Sequence, residues 1–242
     1  MNLILLDPWE LTDGVARLSG RRAAHVHRVL RPGIGERLQV GVIGGRLGEG
    51  EVVALEEQAV VLRVTLLRDP PPRSPVDLLV ALPRPKILRR VLQEAASMGV
   101  GRVVLLGSYR VEKSYFASPL LRPEAIEGEL RLGLEQGRDT VLPRVATRRL
   151  FKPFVEDELD ATFGDARRLL ADPAATRPLA GVERGGARAV VAIGPEGGWT
   201  RYEGEQLAAH GFVPFTLGPR ALRVDAAVPF VVGQLEAWLA AR

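Results

Sequence analysis

The chain has 242 residues, 46% of them hydrophobic, a formal charge of +4, and no cysteine. The missing cysteine excludes disulfides, a thiolate nucleophile and cysteine-ligated zinc, and His25, His27 and His210 have no metal-ligand spacing, so no metal is expected. No apolar run reaches membrane-helix length and the N-terminus lacks signal-peptide regions, so a cytoplasmic protein of one large or two small domains is expected, mildly basic and compatible with nucleic acid.

Ser19 is placed to cap a helix running from about Gly20 to Leu30. Short β-rich runs lie at Arg37–Ile43, Glu51–Leu55 and Val60–Leu67, with Gly44, Gly45 and Gly48 as turn residues between the first two. They point to a small β-barrel over residues 1–69. The stretch Asp69-Pro70-Pro71-Pro72-Arg73-Ser74-Pro75 is stiff, extended and unable to continue a sheet, which marks 70–75 as a linker. Over 76–242 strands alternate with helices: strand Val76–Leu82, helix Ile87–Met98, strand Arg102–Leu106, and so on to a helix Asp225–Ala240. That alternation is the pattern of a parallel α/β domain.

Within this domain two glycine-containing segments carry the functional signal. They are Gly194-Pro195-Glu196-Gly197-Gly198-Trp199-Thr200 and Leu217-Gly218-Pro219-Arg220-Ala221-Leu222-Arg223. Each directly follows a short apolar run, Ala189–Ile193 and Phe215–Leu217, that reads as the end of a buried strand. Glycine there lets a ligand touch main chain, because no Cβ stands in the way and positive φ is allowed. Two such loops leaving neighbouring strand ends would form a pocket of backbone N–H and C=O groups. Neither is a phosphate loop: there is no G-x-x-x-x-G-K-[ST], no G-x-G-x-x-G opens a helix, and the prolines remove donors. A serine nucleophile elbow, G-x-S-x-G, is also absent.

Upstream stand His25-Val26-His27-Arg28-Val29-Leu30-Arg31 and Glu135-Gln136-Gly137-Arg138, the latter followed by Leu142-Pro143. Taken in order with the two glycine segments, these resemble the signature of the RsmE-type 16S rRNA uridine-N3 methyltransferases, and the resemblance covers nearly the whole chain. It implies a SPOUT fold, an α/β domain with a parallel sheet and a deep trefoil knot that binds S-adenosylmethionine, preceded by a PUA-like RNA-binding β-barrel. It also implies a homodimer acting on small-subunit rRNA, in an assembled or late-assembling ribosomal subunit. A target uridine would have to be unpaired or flipped out to present N3. The alternatives are another SPOUT activity, such as ribose 2′-O methylation, and a non-catalytic RNA-binding protein with a degenerate cofactor pocket.

The same resemblance implies roles for residues. Backbone around Gly194, Gly197, Leu217, Gly218 and Leu222 would hold the cofactor, with Glu196 either a polar anchor or a local turn contact. Arg223 would stabilise the uracil anion at O2 or O4. Asp225 would be a base, an orienter of Arg223 or a simple helix cap. The family reads L-R-T-E-T-A where this chain reads Leu222-Arg223-Val224-Asp225-Ala226-Ala227, with an acid one methylene shorter and no threonine. Arg21, Arg22, His25, Arg28 and Arg31 concentrate positive charge, and with Arg84, Arg138 and Arg220 they are candidate RNA contacts; a solvated helix face is the plainer account of the first group. On the last helix Val228, Phe230, Val231, Val232, Leu235, Trp238 and Leu239 form a stripe broader than one buried face needs. That suits a self-complementary contact or packing inside one subunit.

Overall fold

Alternation of apolar and polar residues builds the first sheet, as along β6, where Val60, Leu62 and Val64 point inward. In the computed structural model, which describes residues 2–241, this sheet belongs to the first of two units. That unit takes the chain up to Pro72 together with Arg131–Leu142; the second takes Arg73–Leu130 and the chain from Pro143 on. The first unit contains β1 (Ile4–Leu6), β2 (Leu11–Thr12), β3 (Val15–Leu18), helix α1 (Gly20–His25), β4 (Arg37–Val42), β5 (Leu47–Leu55) and β6 (Val60–Arg68). The strands lie in the order β1-β4-β5-β6-β3-β2, antiparallel except for the parallel pair β1 and β4. Ala23 and Val26 cover the sheet's inner residues, including Leu6, Leu18 and Leu62.

Three local expectations change here. Gly48 is not a turn residue: it lies inside β5, at a register shift, where an added Cβ would stand 1.9 Å from the carbonyl oxygen of Thr65. Glycine lets β6 pass that close. Ser19 precedes the helix without a side-chain cap bond, because Gly20 enters at φ +56° and swings the start of the helix away from the capping geometry. The helix reaches Leu30, but Val26–Leu30 is a π-turn closed by Arg31 at φ +49°.

The second unit alternates β7 (Val76–Ala81), α2 (Pro85–Ser97), β8 (Arg102–Leu106), α3 (Pro123–Gly137), β9 (Arg144–Arg148), α4 (Phe151–Pro153) and α5 (Leu159–Phe163). It continues through β10 (Arg167–Ala171), β11 (Ala189–Ile193), α6 (Arg201–Ala209) and β12 (Val213–Phe215) to α7 (Val224–Ala240). Only the first half of α3 belongs to this unit. The six strands are all parallel, ordered β12-β10-β11-β7-β8-β9. β7 and β11 sit at the centre and are buried along their whole length, which is why they read as apolar runs, interrupted in β7 by Asp77, whose buried carboxylate pairs with Arg188. Helix α2 starts with Pro85, whose missing N–H costs nothing at a first turn, and buries Ile87, Leu88, Val91, Leu92, Ala95 and Ala96. It packs on α7, which also touches β7 and β11. The strand expected over Phe215–Leu217 instead ends at Phe215. Beyond it the Thr216 hydroxyl is 3.1 Å from both the N–H and the carbonyl of Gly218, which folds the chain into a turn.

Candidate active site

A parallel sheet presents all its strand ends at one edge, and there β10, β11 and β12 lie side by side. The loops that leave them enclose a cavity of about 560 Å³, within the range of small-molecule sites. The first loop contributes Asp172, Pro173 and Ala174; the other two are the glycine segments. Of the residues predicted to hold a cofactor, Gly194, Glu196, Leu217, Gly218 and Leu222 line this cavity, and Arg220 and Arg223 line it as well. Gly197 is not on the wall. A Cβ there would stand 3.2 Å from the side chain of Arg110, whose guanidinium donates to the Gly197 carbonyl.

Two glycines are required for different reasons. Gly218 adopts φ +120°, a conformation essentially closed to other residues, and the space where its Cβ would point is open. Gly194 has an ordinary φ, but a Cβ would stand 3.1 Å from two atoms of the Trp199 indole. Trp199 also packs on Phe151, with ring centroids 5.9 Å apart, and its buried indole N–H has no hydrogen-bond partner among the described residues.

Arg223 is exposed at the N-cap of α7, and Asp225 follows in the first helical turn, 8% exposed and off the cavity wall. Asp225 Oδ2 accepts from Arg90 Nη1 at 2.8 Å, and Oδ1 lies 3.5 Å from Arg223 Nε. Burial pushes the carboxyl pKa up, but the Arg90 hydrogen bond and the charges of Arg223 and Arg90 outweigh it and leave the group below the ordinary aspartate range. A carboxylate held this way is a weak proton acceptor and an effective tether for a guanidinium.

The candidate RNA contacts fall into two groups. Arg28, Arg31, Arg84, Arg138 and Arg220 present exposed side chains. Arg31 and Arg138 do so from left-handed backbone, at φ +49° and +56°. Arg22 instead donates to the Leu5 carbonyl and to both oxygens of Glu10, and Arg21 holds the buried Glu135 bidentately at 2.9 and 2.5 Å. The His25 ring is partly covered, with an unpartnered Nε2 and a pKa lowered first by burial. So Glu135 of the E-Q segment is occupied by Arg21.

Sequence reasoning missed Arg90, Arg110, the 172–174 loop and Glu203. The loop left a trace, an Asp-Pro turn after an apolar run, and Thr200 with Glu203 three residues on has capping-box spacing. Glu203, 2% exposed, accepts 2.8 Å hydrogen bonds from the Tyr109 N–H, the Thr200 N–H and the Thr200 hydroxyl, completing a capping box at α6. No cluster of His, Asp and Glu suited to a metal ion occurs among the described residues.

Comparison with known proteins gives these contacts a context. The RNA methyltransferase domain family matches residues 70–236. Ribosomal RNA small subunit methyltransferase E of Treponema pallidum is 32% identical, the match covering 98% of this chain and 93% of that one. The protein of the same name from Synechocystis is 27% identical over 98% of this chain and 77% of its own. In fold, the chain resembles the ribosomal RNA small subunit methyltransferase E of Neisseria gonorrhoeae, solved bound to S-adenosyl methionine, with a TM-score of 0.78, 20% identity and 98% of each chain covered.

Proposed function

Since the chain belongs to the ribosomal RNA small subunit methyltransferase E (RsmE) family, we propose that it transfers a methyl group from S-adenosylmethionine to N3 of an unpaired uridine in small-subunit rRNA. The observation that carries this reading is the meeting of both glycine loops, with Arg223, at one cavity. The cavity fits the cofactor: its volume suits a nucleoside-sized ligand, and Gly218 leaves open the space a Cβ would fill. S-adenosylmethionine supplies the activated methyl. The main chain at Gly194, Leu217, Gly218 and Leu222 would bind it, and Glu196 would sit at the rim as its polar contact.

Transfer to a ring nitrogen needs alignment, passage of the N3 proton to solvent water, and a place for the negative charge this leaves on the base. Arg223 is the group for that charge, donating to O2 or O4 of the base. Asp225, itself tied to Arg90, holds Arg223 in place; its depressed pKa favours this role over that of a base. Arg110 acts on the site through the Gly197 carbonyl, which accounts for Gly197 without placing it on the cavity wall.

The finer architecture belongs to the same reading. Strand β12 lies beyond β10 while α7 returns to β7 and β11, an arrangement that suits a chain passed through its own loop, the trefoil knot of the SPOUT class. The first unit, with its curled sheet and exposed Arg28, Arg31 and Arg138, suits a PUA-like RNA-binding module. Val228, Val231, Val232, Leu235 and Trp238 are buried, whereas Leu222 and Phe230 are 40% and 45% exposed. Those two side chains are our candidates for contact in a cytoplasmic homodimer.

Labelled S-adenosylmethionine with bacterial small ribosomal subunits, followed by nucleoside mass spectrometry, tests the reading. We expect 3-methyluridine. A methylated ribose or another base would overturn the target, and cofactor binding without any product would overturn the enzyme.

A further inference from the structure

Next to the candidate cofactor cavity, where the chain leaves β8 and β9, lies a second cavity of about 460 Å³ that the reading above does not use. Thr200 lines both. Three large apolar side chains stand around it in water: Tyr109 is 87% exposed, Leu150 66% and Tyr202 48%. Scattered exposure of this kind is ordinary, but clustering around one hollow marks a contact surface.

The charge at this surface has one available sign. Arg149 and Lys152 line the cavity, and among the described residues the only acid lining it, Glu203, is buried and committed to the hydrogen bonds of Tyr109 and Thr200. Arg149 is kept at the rim by stacking over Phe116, 5.4 Å from the ring centroid. Lys152 meets Glu156 only in an exposed pair at 3.6 Å, which leaves its charge available. The Glu203 bond to the Tyr109 N–H fixes the backbone that carries the most exposed ring, so little ordering remains to be done on binding. Flat aromatic faces beside cations are what an unpaired nucleotide needs, a stacking surface for the base and a counter-charge for its phosphate.

Resting on the reading that this chain methylates RNA, we propose that the second cavity docks another unpaired nucleotide of the same RNA. Its base stacks on the exposed tyrosines and its phosphate meets Arg149 and Lys152. Because the two cavities open from one sheet edge and share Thr200, a strand delivering its target base to the first can seat a second nucleotide here. This would add affinity and register without chemistry.

The test uses the full chain, a fluorescein-labelled oligouridylate and, separately, methylation of small ribosomal subunits. Tyr109→Ala and Arg149→Ala should each weaken oligouridylate binding about tenfold. Arg149→Ala should also reduce the slope of log affinity against log salt by about 0.7. Affinity for S-adenosylmethionine should not change, and Tyr109→Phe, which keeps the aromatic face, should bind RNA as the parent does. Thermal melts check that each variant folds. Parental RNA affinity in Tyr109→Ala, Tyr202→Ala and Arg149→Ala would overturn the docking site even with methylation intact. Conversion of a dimer to monomers by these substitutions, with RNA affinity retained, would reassign the patch to self-association and overturn it equally. If the parent protein methylates nothing yet the binding losses appear, the docking site stands and the enzymatic reading falls.

Discussion

At the scale of single residues, Arg223 is where chemistry and structure meet most closely. If it stabilises the uracil anion, Arg223→Ala should lower turnover about 10²–10³-fold while leaving S-adenosylmethionine affinity close to parental. Single-turnover kinetics with calorimetry would separate the two, and unchanged methylation would remove Arg223 from the site. Asp225→Asn keeps the shape but loses the charge that tethers Arg223, so about a tenfold fall in turnover is expected, again without loss of cofactor binding. Gly218→Val should act twice. A β-branched residue at φ +120° is strained by about 1–3 kcal/mol, and its side chain would occupy open cavity space, so both melting temperature and cofactor affinity should drop. The placement of Gly218 and Arg223 at one cavity was legible because each sits in a short segment whose neighbours reveal its place. The Arg90–Asp225 pair was not: Arg90 lies 135 residues from Asp225, and α2 meets α7 only in the fold.

At the scale of elements, the start of α6 is the joint of the second unit. Glu203 satisfies donors on both its own helix and the loop after β8, so Glu203→Ala leaves buried N–H groups unpaired as well as removing a cap. A loss of about 2–4 kcal/mol in denaturant unfolding is expected, with Glu203→Gln recovering part of it. A change below about 0.5 kcal/mol would mean that water replaces these bonds. The capping box Thr200–Glu203 could have been read from its spacing; the third bond, to Tyr109 across 94 positions, could not. Strands β7 and β11 were readable because their burial is complete and their residues almost all apolar, and helix α2 because its buried residues recur at helical spacing along one face. β5 was misjudged at Gly48, since glycine that permits a close strand crossing looks the same in sequence as glycine that permits a turn.

At the scale of the whole molecule, acid stability follows from the ion pairs of the first unit. The Arg22 hydrogen bond, acting against burial, lowers the Glu10 pKa below its unfolded value. Such a carboxylate stabilises the fold fully above the unfolded pKa, and that contribution is lost as pH falls through the folded one. Denaturant unfolding should therefore weaken on acidification below about pH 4.3, and less steeply in Glu10→Gln; parallel pH profiles would discount the pair. The sequence by itself determined the β-rich character of the first half, the parallel α/β core of the second, the two glycine loops and the family signature, because these depend on local periodicity and on residues close together in the chain. Only the tertiary structure decided that segments 131–142 belong with the first unit, that Arg21 and Arg22 are engaged by Glu135 and Glu10, and that a second aromatic and basic cavity adjoins the first. Those facts rest on contacts between residues far apart in sequence, and no local pattern records which distant partner a buried charge or an exposed ring will find.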